Sequence, residues 1–181
     1  MKVINFEHPG EADVLELMDL PIPSLTKSNQ ILIKVSFAGV NRPDIVQRQG
    51  NYPAPDGHSK ILGLEISGVV LEIGQGVKRF KKGDKVAALV NGGGYAEYCI
   101  AEEETTFKIP DSLDLKQAAS IPECFFTAWS NLVQRGSLKE GDSVLIHGGT
   151  SGIGLASIEI LKLFKAKIFT TVGSAEKKEF C

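Results

Sequence analysis

Short apolar segments, separated by glycine and proline, fill the first two thirds of the chain. Residues 30–38 alternate most regularly, and the side chains that would share one face are Ile31, Ile33, Val35 and Phe37. Similar apolar runs predict further strands at 2–6, 14–20, 63–73, 85–90 and 95–101. Many short strands at regular spacing are typical of a barrel-like β domain.

Helical patterns appear in two places. A loop at 41–50 is expected to contain a short helix, and the segments 115–120 and 124–135 also read as helices. Pro122 separates these last two segments, because a proline disfavours helical backbone at the residue before it. The helices at 115–120 and 124–135 therefore connect the β-rich part to whatever follows.

A strand, a helix and a second strand are predicted in the last third of the chain. The aliphatic run 144–146 fits a buried parallel strand, and residues 167–172 fit another. Between them, the apolar face of the helix would be Ile153, Leu155, Ile158, Leu161 and Phe164. The sequence therefore predicts a mixed fold, with a β-rich domain at 1–121 and a connector helix plus a partial α/β nucleotide-binding domain at 122–181.

A glycine-rich turn joins the strand at 144–146 to its helix, with glycine at 148, 149, 152 and 154. Glycine lets the main chain pass close to a pyrophosphate, which the N–H groups at the helix start then receive. The usual Gly-x-Gly-x-x-Gly spacing would place glycine at 149, 151 and 154, but position 151 is serine. A merely flexible loop is the alternative, and the second strand favours nucleotide binding because it completes the β-α-β unit. The predicted cofactor contacts are Gly149, Thr150, Ser151, Gly152, Ile153 and Gly154.

The residues after the second strand bear on which nucleotide binds. An NAD site places an acidic residue there, where it binds the ribose 2′-hydroxyl. This chain instead has Gly173 and Ser174, followed by Lys177, which together favour the 2′-phosphate of NADPH. Two observations weigh against this prediction: adjacent lysines are often only a solvated helix face, and Glu176 lies beside them.

Composition narrows the possible partners and locations. The chain has 181 residues, a formal net charge of −2 and a pI near 5.9, so nothing points to nucleic acid or an anionic membrane. No apolar segment approaches the roughly 20 residues of a membrane span, and the first residues resemble a strand rather than a signal peptide. The three cysteines are odd in number and widely spaced, so we expect no disulfide framework and a reducing, cytoplasmic location.

Six stretches match one known family, in the family's order, over nearly the whole chain. They are Asn41-Arg-Pro-Asp44 with Gln47-Arg-Gln-Gly50 and Tyr52, Gly63-Leu-Glu-Ile-Ser-Gly68, Gly83-Asp-Lys-Val86, Gly93-Gly-Tyr-Ala-Glu97, Ile121-Pro-Glu123 with Thr127-Ala128, and the glycine-rich turn. By these residues the chain resembles the zinc-free quinone oxidoreductases of the medium-chain dehydrogenase/reductase superfamily, the group that includes zeta-crystallin. It is most similar to the branch of p53-inducible quinone oxidoreductases, which also tends to carry serine in the turn.

The resemblance implies a GroES-like β-barrel followed by a Rossmann domain. Members of the family are about twice as long, so we interpret the sequence as the N-terminal portion of a longer protein; completion by a partner chain is the alternative. The family implies a homodimer for the full-length protein. We expect the 181-residue chain by itself to be inactive, because half of the cofactor cleft would be missing.

The resemblance also implies an enzyme without a catalytic metal. Zinc-dependent relatives carry Cys where this chain has Asn41, and Gly-His-Glu where it has Gly63-Leu64-Glu65. The three histidines are isolated, and there is no Cys-x-x-Cys series for a structural zinc. No metal site is therefore predicted. Without a Lewis acid, reduction of an already conjugated carbonyl is more feasible than oxidation of an alcohol.

The resemblance assigns catalytic roles to Asn41, Tyr52 and Thr127. It places Asn41 and Tyr52 at the mouth between the two domains, where Tyr52 would bond substrate or cofactor and Asn41 would hold the carbonyl or the nicotinamide. It places Thr127 near the nicotinamide amide. From the residues alone, Tyr52 could equally pack on the neighbouring prolines, and Thr127 is simply a helix threonine.

Three other residues of the matched stretches and the turn are interpreted as structural. Asp44 is expected to cap a helix or pair with Arg48, and Glu65 to be a carboxylate behind the site. His147, at the end of the strand before the turn, is expected to contribute packing rather than proton transfer.

Three functions follow from these predictions. The first is an NADPH:quinone oxidoreductase that reduces quinones or other conjugated carbonyl acceptors. The second is an enoyl or 2-alkenal reductase on the same scaffold. The third is a non-catalytic NADPH-binding or structural protein. An RNA-binding role, known in the family, finds no patch of basic and aromatic residues to support it.

Overall fold

The computed structural model describes all residues, 1–181, and divides into two compact units. The first unit is Met1–Glu123 and the second is Cys124–Cys181. The predicted boundary lay after residue 121, two residues earlier. None of the helices combines the length and the apolar character that crossing a lipid bilayer requires.

The first unit is built on a five-stranded antiparallel sheet with the strand order β6-β3-β4-β5-β7. Its strands are β3 Gln30–Ala38, β4 Glu65–Ile73, β5 Lys85–Leu89, β6 Tyr98–Glu102 and β7 Thr106–Lys108. A separate antiparallel pair is formed by β1 Lys2–Asn5 and β2 Glu16–Asp19. Two short helices complete the unit, α1 Arg42–Arg48 and α2 Leu115–Ala118. The β-rich first domain is confirmed.

The main apolar cluster of this unit is built on the five-stranded sheet. Ile31 and Ile33 of β3 are fully buried there, with Ile66 and Val70 of β4. The prediction that Phe37 shares their face is wrong, because its side chain is 44% exposed. The pairing of β3 with β4 shifts register just before Phe37, and such a bulge re-aims the side chains that follow it.

Several element boundaries differ from the predictions. The strand predicted at 14–20 is a 3₁₀ turn, Ala12–Val14, followed by the shorter β2. The three-residue β7 was not predicted, since three residues are too few to show an alternating pattern. The helix predicted at 124–135 is α3 Pro122–Trp129, which continues as a π-helical segment, Ser130–Arg135. Proline suits the start of α3 because the first helical N–H needs no partner inside the helix.

The second unit contains the predicted β-α-β arrangement. β8 Ser143–His147 pairs in parallel with β9 Lys167–Thr171, and α4 Gly152–Leu163 connects them. A last helix, α5 Ala175–Phe180, follows β9. This partial Rossmann arrangement confirms the predicted fold class.

The buried face of α4 is only partly the predicted one. Leu161 is fully buried, but Ile153 and Leu155 are 37% and 40% exposed. Ala156 and Ile160 are buried instead, in a cluster with Ala128 of α3. Packing against α3 as well as against the strands rotates the buried stripe toward these residues, which a pattern of large apolar side chains did not predict.

Candidate functional site

The glycine-rich turn runs from the end of β8 to the start of α4, where Ser151 is the N-cap residue. The Ser151 hydroxyl accepts a hydrogen bond from the Gly154 N–H at 3.0 Å and donates one to the Gly148 carbonyl at 2.7 Å. The serine that interrupts the glycine spacing therefore stabilises the turn through its side chain. A glycine at this position would lose both bonds.

The turn is folded so tightly that a side chain does not fit at two of its glycines. A Cβ atom on Gly154 would collide with the Gly148 carbonyl oxygen and lie 2.8 Å from that of Gly149. A Cβ atom on Gly149 would collide with the hydroxyl of Thr170 in β9. Gly148 itself has a φ of 76°, in the left-handed region that favours glycine. The glycines are therefore needed for the shape of the turn.

The start of α4 keeps donors for an anion. In any helix the first N–H groups have no partner within the helix, and here Ser151 satisfies only that of Gly154. The N–H groups of Gly152 and Ile153 remain, at the positive end of a helix of 12 residues. These donors and the close approach of the backbone fit a pyrophosphate group.

The residues after β9 carry no carboxylate before α5 begins. Ser174 is the N-cap of α5, and its hydroxyl oxygen accepts from the Lys177 N–H at 3.2 Å. The Ser174 O–H is still a donor, and the exposed Lys177 forms no ion pair. Glu176 and Lys178 lie on the same short helix. Both interpretations of the lysine pair, a 2′-phosphate site and a solvated face, remain open.

In the first unit, Asn41 and Glu65 are joined by a hydrogen bond. Asn41 is the N-cap residue of α1, and its Nδ2 donates to Glu65 Oε1 at 2.8 Å. The other oxygen, Glu65 Oε2, accepts from the Glu123 backbone N–H at 2.9 Å. Glu65 is 2% exposed, so its carboxyl is a buried group with both oxygens paired.

Asp44 is a second buried carboxyl beside Asn41. It accepts from the Asn41 backbone N–H at 2.8 Å, which completes the capping interaction of α1, and from the Gly63 N–H at 3.2 Å. Its third donor is the hydroxyl of Tyr95 at 3.0 Å. Asp44 therefore has the capping role that the sequence predicted. The alternative partner, Arg48, pairs with Glu11 instead.

Burial raises the pKa of the Asp44 carboxyl, although its hydrogen bonds from Asn41 and Tyr95 oppose the shift. Burial also raises the pKa of Glu65, and the charge of Asp44 adds to that effect. Burial and the neighbouring Asp44 raise the pKa of Tyr95, whose hydroxyl therefore stays protonated and donates to Asp44.

These shifts predict how the two carboxyls affect stability. A carboxyl whose pKa is higher in the folded state contributes stability that is complete below its unfolded pKa and lost as pH rises through its folded pKa. We expect the contributions of Asp44 and Glu65 to the free energy of unfolding to decrease above about pH 4. Carboxyl-carbon NMR should find both titrating above their ordinary values, and Asp84, whose pKa Lys108 lowers, below its own. Ordinary or lowered values for Asp44 and Glu65 would contradict this.

The other residues singled out in the sequence occupy simpler surroundings. Tyr52 is 48% exposed, in the segment after α1. Thr127 lies on α3, where its carbonyl accepts from the Asn131 side chain at 2.8 Å. His147 Nδ1 lies 3.2 Å from the hydroxyl of Thr171 in β9. His147 is exposed, so its predicted packing role is wrong, whereas the predicted roles of Tyr52 and Thr127 stay predictions.

Two further observations concern binding sites. No three or more His, Cys, Asp or Glu side chains come together in a group that could hold a metal ion. A cavity of about 290 Å³ in the first unit includes Gln30, His58 and Cys99 in its lining and none of the predicted site residues. It is therefore separate from the groups described above.

The hydrogen bond from the Tyr95 hydroxyl to Asp44 was not predicted from the sequence. Tyr95 lies 51 positions from Asp44 in the chain, so their hydrogen bond is a tertiary contact that no local pattern shows. The available signal was the stretch Gly93-Gly-Tyr-Ala-Glu97, in which glycine precedes the tyrosine. Gly94 and Gly63 approach closely, and a Cβ on Gly63 would lie 2.6 Å from the Tyr95 ring.

The chain is similar to several known proteins. Residues 27–111 match the alcohol dehydrogenase GroES-like domain family. The chain is 37% identical to human quinone oxidoreductase over 178 residues, which are 97% of this chain and 54% of the human protein. The structure of CurK enoyl reductase matches with a TM-score of 0.87 at 26% identity, covering 99% of this chain and 56% of the other. The mycobacterial protein Rv1454c, solved in complex with NADPH, matches with a TM-score of 0.85 at 33% identity, covering 99% and 55%. The chain thus spans about half the length of the curated relatives it matches.

Proposed function

The chain belongs to the quinone oxidoreductases of the medium-chain dehydrogenase/reductase superfamily, and from this premise we propose that it serves NADPH-dependent, metal-free hydride transfer to quinones or other conjugated carbonyl compounds. The observation that carries the proposal is the glycine-rich turn between β8 and α4. Its Ser151 cap, its crowded Gly154 and the remaining N–H groups of Gly152 and Ile153 suit a dinucleotide pyrophosphate.

Three residues of this chain are proposed to contact the acceptor or the cofactor. When bound, NADPH would supply the hydride, and the oxyanion that forms on the acceptor needs only a hydrogen-bond donor and a proton from water. Asn41 and Tyr52 are the proposed donors to acceptor or cofactor, and Thr127 is proposed to contact the nicotinamide amide. Asn41 is the best supported of the three, because its amide is held in one orientation by a buried carboxylate.

NADPH is proposed over NADH because the end of β9 offers Ser174 and Lys177 in place of a carboxylate. We expect Lys177→Ala to weaken NADPH binding by about tenfold and to leave NADH binding nearly unchanged, since only NADPH carries the 2′-phosphate. Calorimetric titration of both nucleotides measures this, with Lys178→Ala as the matched control on the same helix. Equal losses for the two nucleotides, or none for NADPH, would show that the lysines are only a solvated face.

Turnover tests the proposed reaction directly. The complete gene product should oxidise NADPH with 1,4-benzoquinone, and incubation with a chelator should not change the rate. The 181-residue chain alone is expected to bind NADPH without turnover. A gene product that binds NADPH but reduces neither a quinone nor an enal would instead support the non-catalytic alternative.

An enoyl or 2-alkenal reductase is the second candidate, and the match to CurK enoyl reductase with a TM-score of 0.87 favours keeping it. Both reactions deliver hydride to a carbon conjugated with a carbonyl, so the same donors would serve. A kcat/KM for trans-2-hexenal well above that for benzoquinone would select this candidate.

A further inference from the structure

Glu65, at the start of β4, is a buried carboxyl with both oxygens hydrogen-bonded. It is 2% exposed, and its two oxygens accept from Asn41 Nδ2 and the Glu123 N–H at 2.8 and 2.9 Å. Gly39 leaves room for it, because a Cβ there would lie 2.6 Å from the Glu65 carboxyl carbon. A proton on either oxygen would compete with one of the two donors, so these hydrogen bonds favour an ionised, purely accepting group and oppose the burial that raises the pKa of Glu65.

A carboxylate that only accepts decides which way the Asn41 amide points. The atom facing Glu65 Oε1 has to be the nitrogen Nδ2, so the oxygen Oδ1 lies on the other side. There the Asn41 side chain faces the start of α1, where the Asp44 N–H donates to the Asn41 backbone carbonyl oxygen at 3.2 Å. The Asn41 backbone N–H is itself bound by Asp44 Oδ2 at 2.8 Å. Of the two Nδ2 hydrogens, one is used by Glu65 and the second is left for another acceptor.

We propose that Glu65 is a positioning residue, which aims the Asn41 amide so that its second Nδ2 hydrogen is the donor to a ligand carbonyl oxygen. The inference rests on the proposed function and deepens it, because it assigns Asn41 a donor role and names the residue that enforces it. Two ligand groups have this chemistry: the carbonyl of the quinone or enone, and the carboxamide carbonyl of the nicotinamide.

Variants that exchange the Asn41 amide and the Glu65 carboxylate distinguish a positioning role of Glu65 from a purely structural one. In Glu65→Gln, the new oxygen has to accept from the fixed Glu123 N–H, so the new NH₂ group faces Asn41, which either loses the contact or turns its amide over. In Asn41→Asp, two carboxylates face each other. In the double variant, the introduced glutamine can donate from its amide to one oxygen of the introduced aspartate, whose second oxygen can cap α1. The double variant therefore restores the hydrogen bonds inside the protein, but an aspartate has no hydrogen to donate to a ligand.

Two measurements are made on all three variants and on Glu72→Gln, a control on an exposed residue of the same strand. Urea unfolding followed by circular dichroism should show both single variants less stable than the wild type and the double variant largely restored. The kcat/KM of the complete gene product should fall by at least about tenfold in all three variants, without recovery in the double variant. A loss in the KM or kcat for quinone identifies the acceptor carbonyl, and a loss in NADPH affinity identifies the nicotinamide.

Two results would overturn the inference. Recovery of turnover together with stability in the double variant would show that Asn41 accepts from the ligand. A Glu65→Gln variant indistinguishable from Glu72→Gln would show that Glu65 positions nothing. If the wild type neither binds nor oxidises NADPH, the proposed function fails. Side-chain amide NMR then still decides the positioning role: one Asn41 Nδ2 proton should be shifted downfield in the wild type and lose that shift in Glu65→Gln, whereas an unchanged shift would refute it.

Discussion

Gly154→Ala should weaken NADPH binding and lower the stability of the second unit. The added methyl group would collide with the Gly148 carbonyl oxygen, a backbone atom that cannot move without opening the turn. Crowding of this kind costs about 1–3 kcal/mol, more than the roughly 1 kcal/mol that alanine gains over glycine in a helix. We therefore expect net destabilisation, with NADPH affinity reduced by at least about tenfold because the anion-binding N–H groups are displaced.

Glu159→Ala on the exposed side of α4 is the matched control for this variant. Its only ion pair, with Lys162, is solvent-exposed, so its loss should change stability by no more than about 0.5 kcal/mol. Thermal unfolding followed by the fluorescence of Trp129 reports on the second unit, and titration with NADPH reports on binding. A Gly154→Ala variant that melts and binds like Glu159→Ala would show that the turn has room to spare.

Asp44→Asn should strongly destabilise the first unit. Asp44 is 2% exposed and accepts from the Asn41 N–H, the Gly63 N–H and the Tyr95 hydroxyl. Asparagine has the same shape but only one accepting oxygen, so its NH₂ group would face at least one of these donors. A buried donor left without an acceptor costs about 1–3 kcal/mol, and we expect a loss of about 2 kcal/mol.

Asp111→Asn tests whether the effect is specific to the network, because Asp111 is exposed and its amide variant should be near neutral. Far-UV circular dichroism in urea measures both variants, since the sheet dominates the signal of the first unit. Tyr95→Phe should not recover the loss in Asp44→Asn, because the Asn41 and Gly63 N–H groups face different oxygens of Asp44 and one of them stays opposed to the NH₂ group. A loss below about 1 kcal/mol in Asp44→Asn would contradict a requirement for an accepting oxygen on both sides.

Local patterns in the sequence predicted most of the fold, and the misses have physical causes. The alternation of residues 30–38 predicted β3 with its observed bounds, although the first four residues of the strand are all buried. It failed at Phe37, where a bulge set by pairing with β4 re-aims the side chain. The helix α4 was predicted from large apolar residues, whereas the small Ala156 is buried because α3 packs against it.

The candidate site shows the same division between local and tertiary information. The turn could be predicted because strand, glycines and helix are adjacent in the chain, but the role of Ser151 needed the geometry of its hydroxyl. Asn41 could be named from a motif, but not the carboxylate of Glu65 that orients it, 24 positions away in the chain. The hydrogen bond from Tyr95 to Asp44 spans 51 positions and was missed altogether.

We propose that the pyrophosphate of NADPH binds where the turn at residues 149–154 becomes α4. Backbone amide NMR of the 181-residue chain during an NADPH titration tests it most directly. NADPH should cause saturable amide shifts that are largest at Gly152 and Ile153, whose N–H groups are free of helical partners. NADH should cause the same shifts only at higher concentration. Amides in this turn that stay unmoved while NADPH is in large excess, or shifts confined to the first unit, would contradict the account.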